Sequence, residues 1–259
     1  MSKRNSQEAK RAARERLRVE RERQAKKDKT RRQILVGGAV VAVLALGAGI
    51  AIAVNQMGGD DDKPLVKPAN TAGKDGTDLF IGDNTKNTLR VYEDPRCPVC
   101  AQFEQSAGET VLKGMEDGKY RLQFTLATFL DNNLTGSGSA NAVNALGAAL
   151  NVSTDAFLEY KTALYSKDNH PEESDDKFAD DAYLLKIADQ VDALKDNAAF
   201  EKDVKEGTYD TWAKKMAATF DQQGTPTLLL NGEKLTVPGT QNTPMTADDF
   251  TKALDAKLK

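Results

Sequence analysis

Only two cysteines occur in the 259 residues, and they stand two apart, in Cys97-Pro98-Val99-Cys100. Residues 88–92, with their β-branched and aromatic side chains, predict a strand that runs through Asp94-Pro95-Arg96 into the motif, and the pattern turns helical from Ala101. The two thiols therefore sit at a strand-to-helix turn, where free backbone N–H groups and the positive end of a helix dipole favour a thiolate on the first sulfur. Cys97 is the candidate nucleophile and Cys100 the resolving thiol. A purely structural disulfide is the weaker use of such a pair, because the ring it closes is too short to restrain the unfolded chain by much. Zinc is weaker still: it wants four ligands, and the chain offers two cysteines and one distant histidine, His170. The pattern points to redox chemistry with no metal and no cofactor.

The net charge of -3 hides an asymmetry that divides the chain. Residues 1–33 carry 14 Lys and Arg against 5 Asp and Glu, whereas the rest carries 22 against 34. Between the two lies an uncharged run, 34–54, which as a helix would be about 31 Å long, matching the hydrocarbon core of a bilayer. Its basic flank, Lys29-Thr30-Arg31-Arg32, places the first 33 residues in the cytoplasm and everything after Val54 outside. A cleaved export signal is the alternative, with Arg31-Arg32 as a twin-arginine pair and Ala51-Ile52-Ala53 as a small-residue cleavage site. The apolar run exceeds the usual signal core, so an uncleaved signal anchor is the expectation. Alternating charges in the tail fit a solvated helix near the membrane, and the absence of aromatic residues there argues against nucleic-acid binding. Residues 55–75, rich in Gly, Asp and Pro, are expected to form a flexible tether, and 76–259 the folded domain.

Within that domain, 77–81 and 88–92 predict strands, 98–116 one helix opened by Pro98, and 120–127 a central strand that completes a βαβ unit. Residues 135–219 show helical periodicity throughout, with apolar stripes such as Phe157, Tyr160, Leu164 and Leu184, Ile187, Val191, which packing alone explains. This is a helical insertion of about four helices. Breaks fall at Asn151-Val152-Ser153, at Asn169-His170-Pro171 and at Gly207. His170, preceding a proline, reads as a loop residue without a catalytic role. The sequons at Asn133 and Asn151 are read as incidental. Gly224-Thr225-Pro226-Thr227 then opens a late apolar strand, Asn231-Gly232 a hairpin with a partner strand at 233–237, and Thr246 caps a terminal helix that buries Phe250 and Leu254. A proline at the head of a buried strand removes a ladder hydrogen bond, and a cis Thr225-Pro226 peptide is one explanation of its presence.

Strand, Cys-Pro-Val-Cys, helix, strand, helical insertion, Gly-Thr-Pro-Thr, hairpin and final helix together resemble the DsbA-like branch of the thioredoxin superfamily, in particular its membrane-anchored bacterial members. The resemblance covers residues 76–259 and implies an α/β thioredoxin-like fold with a helical insertion. It also implies that Pro226 is a cis-proline facing the cysteines and that the Thr225 backbone binds an extended substrate segment. Two departures stand out. The position six before the first cysteine, where this superfamily commonly buries an acid, is Val91, with Glu93 and Asp94 the nearest carboxylates. The dipeptide Pro98-Val99 lacks the histidine of DsbA, which removes one source of thiolate stabilisation and implies a less strongly oxidising couple than DsbA.

The expected activity is thiol:disulfide exchange in which a substrate thiolate attacks Cys97 and a second substrate thiolate releases the product disulfide. An extracytoplasmic address favours disulfide formation in exported proteins, with a membrane redox partner resetting the cysteines. The alternatives are a disulfide reductase or isomerase of the same fold, and a redox-idle module that binds extended polypeptide beside Pro226. Cys97→Ala separates these, since a binding module would keep its activity.

Overall fold

Alternating burial along residues 88–93 and 121–126 makes these two segments the centre of a five-stranded sheet in the computed structural model, which describes residues 63–258. Strands β1 (Leu79–Ile81), β2 (Thr88–Glu93), β3 (Arg121–Leu126), β4 (Thr227–Leu230) and β5 (Glu233–Lys234) lie in the order β1-β3-β2-β4-β5. β2 pairs parallel with β3 and antiparallel with β4, so the strand leading into the dithiol has partners on both edges. Parallel neighbours need a crossover, and the helical segment after Cys97 supplies it.

That crossover is not the single helix expected over 98–116. Helix α1 (Pro98–Phe103) passes through a π-helical turn (Glu104–Gly108) into α2 (Glu109–Glu116). The wider turn is where Glu104 meets Lys161 and where Gln105 Nε2 donates to the Tyr165 carbonyl at 2.8 Å. Insertions of this type in helices gather at functional sites.

The helical insertion begins earlier than 135, with α3 (Phe129–Leu134), and its later part holds five helices and a 3-10 turn (Lys177–Ala179) among the described residues. Helix α4 (Gly138–Val152) is its hub, buried along nearly its whole length. Gly147 allows this: a Cβ there would lie 2.9 Å from the Trp212 ring. Around it pack α5 (Thr154–Tyr165), α6 (Asp181–Ala188), α7 (Ala198–Glu206) and α8 (Asp210–Ala217). The expected breaks lie at the helix ends. Ser153 Oγ accepts from Ala156 N to cap α5, and Gly207 ends α7 at φ 60°. Phe124 of β3 meets Phe157 of α5 edge-on at 5.5 Å, which joins insertion and sheet in one core.

The late hairpin turns at Asn231 (φ 54°) and Gly232 (φ 84°), as its Asn-Gly signal requires, but β5 is two residues long rather than 233–237. Helix α9 (Ala247–Lys257) starts at Thr246, whose Oγ1 accepts from Asp249 N, and buries Phe250 and Leu254.

Part of the expected tether belongs to the folded unit. Asn70 Nδ2 donates to the Leu150 carbonyl at 2.8 Å, Ala69 N to Asn151 Oδ1, and Lys63 pairs with Asp210 at 2.9 Å. The end of α4 leaves carbonyls without helical partners, and this segment satisfies one of them. Among the described residues no helix is long and apolar enough to cross a membrane. The basic tail 1–33, the apolar run 34–54 and residues 55–62 lie outside the described residues.

Candidate active site

The turn that carries the thiols is closed by its own backbone. Cys97 N donates to the Asp94 carbonyl at 2.9 Å, and the Cys97 carbonyl accepts from Ala101 N at 3.1 Å. Cys97 is thus the N-cap of α1, with Pro98 in the first turn, where its missing N–H leaves no helical bond unmade. Tyr92 pairs with Thr227 across β2 and β4, so the chain just before β4 passes the end of β2. There the Thr225-Pro226 peptide is cis, and Cys97 Sγ donates to the Thr225 carbonyl at 3.7 Å. The structure so brings Cys97 and Cys100 together with the Thr225-Pro226 peptide. Pro98 is half-buried, and Val99 packs with Phe129 against an apolar cluster formed by the two cysteines, Ala101, Leu130 and Tyr165.

Both cysteines are free thiols and buried, Cys97 with 7% of its surface exposed and Cys100 with none. Their acidities are pulled apart. The hydrogen bond from Cys100 lowers the Cys97 thiol below its ordinary value, against burial, and the Thr225 hydroxyl and the Cys100 N–H add to the lowering. Thr225 Oγ1 is buried with no other partner, so it is available to a thiolate. Burial pushes Cys100 well above the ordinary value, and its hydrogen bond to Cys97 and the charges of Cys97 and Glu93 add to the rise. One sulfur is built to ionise and the other to keep its proton.

Val91 contributes only to the apolar core. Both acids that follow it are fully buried, and they serve different ends of the site. Glu93 Oε2 lies 3.0 Å from Lys161 Nζ, which also reaches Glu104 Oε1 at 2.8 Å, while Glu93 Oε1 has no partner. Burial raises the Glu93 carboxyl well above its usual range; Lys161 opposes this and Glu104 adds to it. Lys161 itself is pulled down by burial, but Glu104 and Glu93 outweigh that and hold it above its usual value. Asp94, by contrast, is fully bonded: Oδ1 accepts from Ser139 Oγ at 2.6 Å and from Arg96 N at 3.0 Å, and Oδ2 from Leu130 N at 3.1 Å. Burial still pushes it up to about 7.

The sequence reading did not find Lys161, Glu104 or Tyr165, nor the ion pairs of Arg96 with Asp131 at 2.9 Å and Asp176 at 3.0 Å. One signal was there: Lys161 stands four residues after Phe157 and four before Tyr165, a charge inside an apolar helical stripe. His170 lies in the loop after α5, as expected, but its Nε2 is 3.0 Å from the Pro95 carbonyl. No group of three or more His, Cys, Asp or Glu able to hold a metal ion occurs among the described residues.

A strand-turn-helix dithiol facing a cis-proline on a β1-β3-β2-β4-β5 sheet defines the class, and comparison with known proteins agrees. The chain belongs to the thioredoxin family, whose model matches residues 74–256. Among solved structures it is similar to the reduced form of the disulfide bond oxidoreductase DsbG from Mycobacterium tuberculosis, at 28% identity and TM-score 0.53, over 65% of this chain and 77% of that one. It is also similar to oxidised DsbA from Mycobacterium tuberculosis, at 26% identity and TM-score 0.54, over 61% and 84%. The MdbA thiol-disulfide oxidoreductase of Actinomyces oris, at 19% identity, shares the fold, with TM-score 0.59 over 79% and 95%. No curated protein matches the chain. The enzyme class is that of the DsbA-like thiol:disulfide oxidoreductases.

Proposed function

We propose that the chain forms disulfides in exported proteins, working outside a membrane to which residues 34–54 anchor it, with residues 1–33 in the cytoplasm. The observation that carries the chemistry is the arrangement of the two sulfurs. Cys97 faces Thr225 and receives hydrogen bonds as a thiolate, while Cys100 lies beneath it among groups that keep it protonated. Stabilising the reduced form in this way makes a couple oxidising.

In the forward direction a substrate thiolate attacks Cys97 Sγ of the Cys97–Cys100 disulfide. The sulfur–sulfur bond breaks, a mixed disulfide forms on Cys97, and Cys100 leaves with the electron pair and takes up a proton. Glu93 is the group we assign to give it: burial raises its carboxyl well above the usual range, and it acts electrostatically on Cys100. A second substrate thiolate attacks the substrate sulfur of the mixed disulfide and Cys97 departs as the stabilised thiolate. Two electrons have passed from two substrate thiols to the dithiol, and a membrane redox partner must remove them before the next turnover. The Thr225 backbone beside Cys97 is the binding edge for extended substrate.

The test is to mix the oxidised chain with a reduced, unfolded protein and follow loss of substrate thiols. Stoichiometric transfer that Cys97→Ser abolishes supports the reading; retained peptide binding with no transfer by the unmodified chain would leave only a binding module. Protease added outside wall-stripped cells should remove the domain if it lies beyond the membrane, and a protected domain would overturn the anchor topology.

A further inference from the structure

The three residues before Cys97 are held from outside the sheet by several parts of the helical insertion. Asp94 is bonded by Leu130 N on α3 and Ser139 on α4, and Arg96 by Asp131 on α3 and Asp176 in the segment beyond α5. Pro95 is bonded by His170. The partner of His170 Nε2 is a carbonyl oxygen, which can only accept, so the bond requires the tautomer with the proton on Nε2. The ring is fixed for this purpose, stacked on Tyr165 at 5.9 Å and met edge-on by Phe178. Burial pulls the ring below the usual histidine range, against the Pro95 and Pro171 carbonyls and the Glu172 charge, so near neutral pH it is a neutral donor.

The bond joins a chain. The peptide whose carbonyl accepts from His170 is the one whose N–H, that of Arg96, donates to Asp94 Oδ1. Hydrogen bonds on the two ends of one peptide polarise each other. We propose that His170 is a positioning residue for the dithiol: through the Pro95–Arg96 peptide it locks the turn that presents Cys97, in the conformation this turn has when both thiols are free. This rests on the redox reading above. The bond is made with both thiols free, and the inference includes that the disulfide form holds it less well, so that it counts toward the reduced form.

The test uses the full chain in detergent, unmodified, H170F and H170Q, each equilibrated in glutathione buffers and read by thiol alkylation. Phe keeps the ring stack and loses the donor, whereas Gln keeps a donor near the Nε2 position and loses the ring. A net hydrogen bond is worth roughly a fivefold change in an equilibrium constant, so H170F should shift toward the disulfide by about fivefold, about 20 mV for a two-electron couple. H170Q should recover most of that shift. The reverse pattern, H170F unchanged and H170Q shifted, would mean that His170 only fills space, and two unchanged variants would mean that it does not act on the dithiol; either overturns the inference. Because the chain has one histidine, its imidazole nitrogen resonances also decide the matter without a variant: a proton on Nε2 supports the proposal, and a neutral ring protonated only on Nδ1 refutes it. If the unmodified chain does not exchange with glutathione at all, the redox reading itself fails and the inference falls with it.

Discussion

Glu93 and Asp94 are neighbours in sequence, equally buried, and have opposite surroundings. Asp94 accepts three hydrogen bonds from fixed donors on the insertion and on the turn itself. Glu93 has one ion pair with Lys161 and one oxygen with no partner. A carboxylate whose lone pairs are used holds structure; one with an idle oxygen that acts electrostatically on the Cys100 thiol is free to move a proton. The difference teaches that burial of an acid near a redox turn does not define its job, and that its partners do.

The largest effect is expected where this contrast is broken outright. Lys161→Met leaves Glu93 and Glu104 buried without their cation, and should cost about 3–5 kcal/mol of unfolding free energy. The loss should shrink as pH falls and Glu93 takes up a proton. Neutralising all three groups together, in E93Q/K161M/E104Q, should return most of the stability; denaturant unfolding across pH measures both.

Next is Asp94. A carboxyl raised from 3.8 to about 7 binds more protons in the folded than in the unfolded state across that window, so its contribution falls as pH rises through it and is flat above. The difference is roughly 4 kcal/mol at 1.36 kcal/mol per unit. Relative to Asp94→Asn, the unmodified chain should lose stability between pH 4 and 7, and parallel curves would show that Asp94 is not the titrating group.

Glu93→Gln should leave folding intact and slow proton movement at Cys100. In a Cys97–glutathione mixed disulfide, release of glutathione by Cys100 should fall on the order of a hundredfold, and the rate should lose the part of its pH dependence that Glu93 supplies. An unchanged profile would return Glu93 to a structural role.

What could be read from the sequence was local. The dithiol turn, Thr225-Pro226, the Asn231-Gly232 hairpin and the Thr246 cap each depend on a few adjacent residues, and each stands where the pattern placed it. The Lys161 cluster, the clamp on Arg96 and the bond from His170 join segments far apart in the chain, and no periodicity encodes them. The hold on 63–75 was hidden for a related reason: its composition is that of a tether, and only specific acceptors at the end of α4 bind it. The π-helical turn has no signal in residue spacing either, since 98–116 is compatible with an unbroken helix.

The central claim is that these surroundings favour the reduced dithiol and so make the couple an oxidant. The reduction potential of the Cys97–Cys100 pair, from equilibration with glutathione, tests it most directly. The account predicts a value toward the DsbA end of the known range, about -120 mV. A value near that of thioredoxin, about -270 mV, would contradict it and make the chain a reductase.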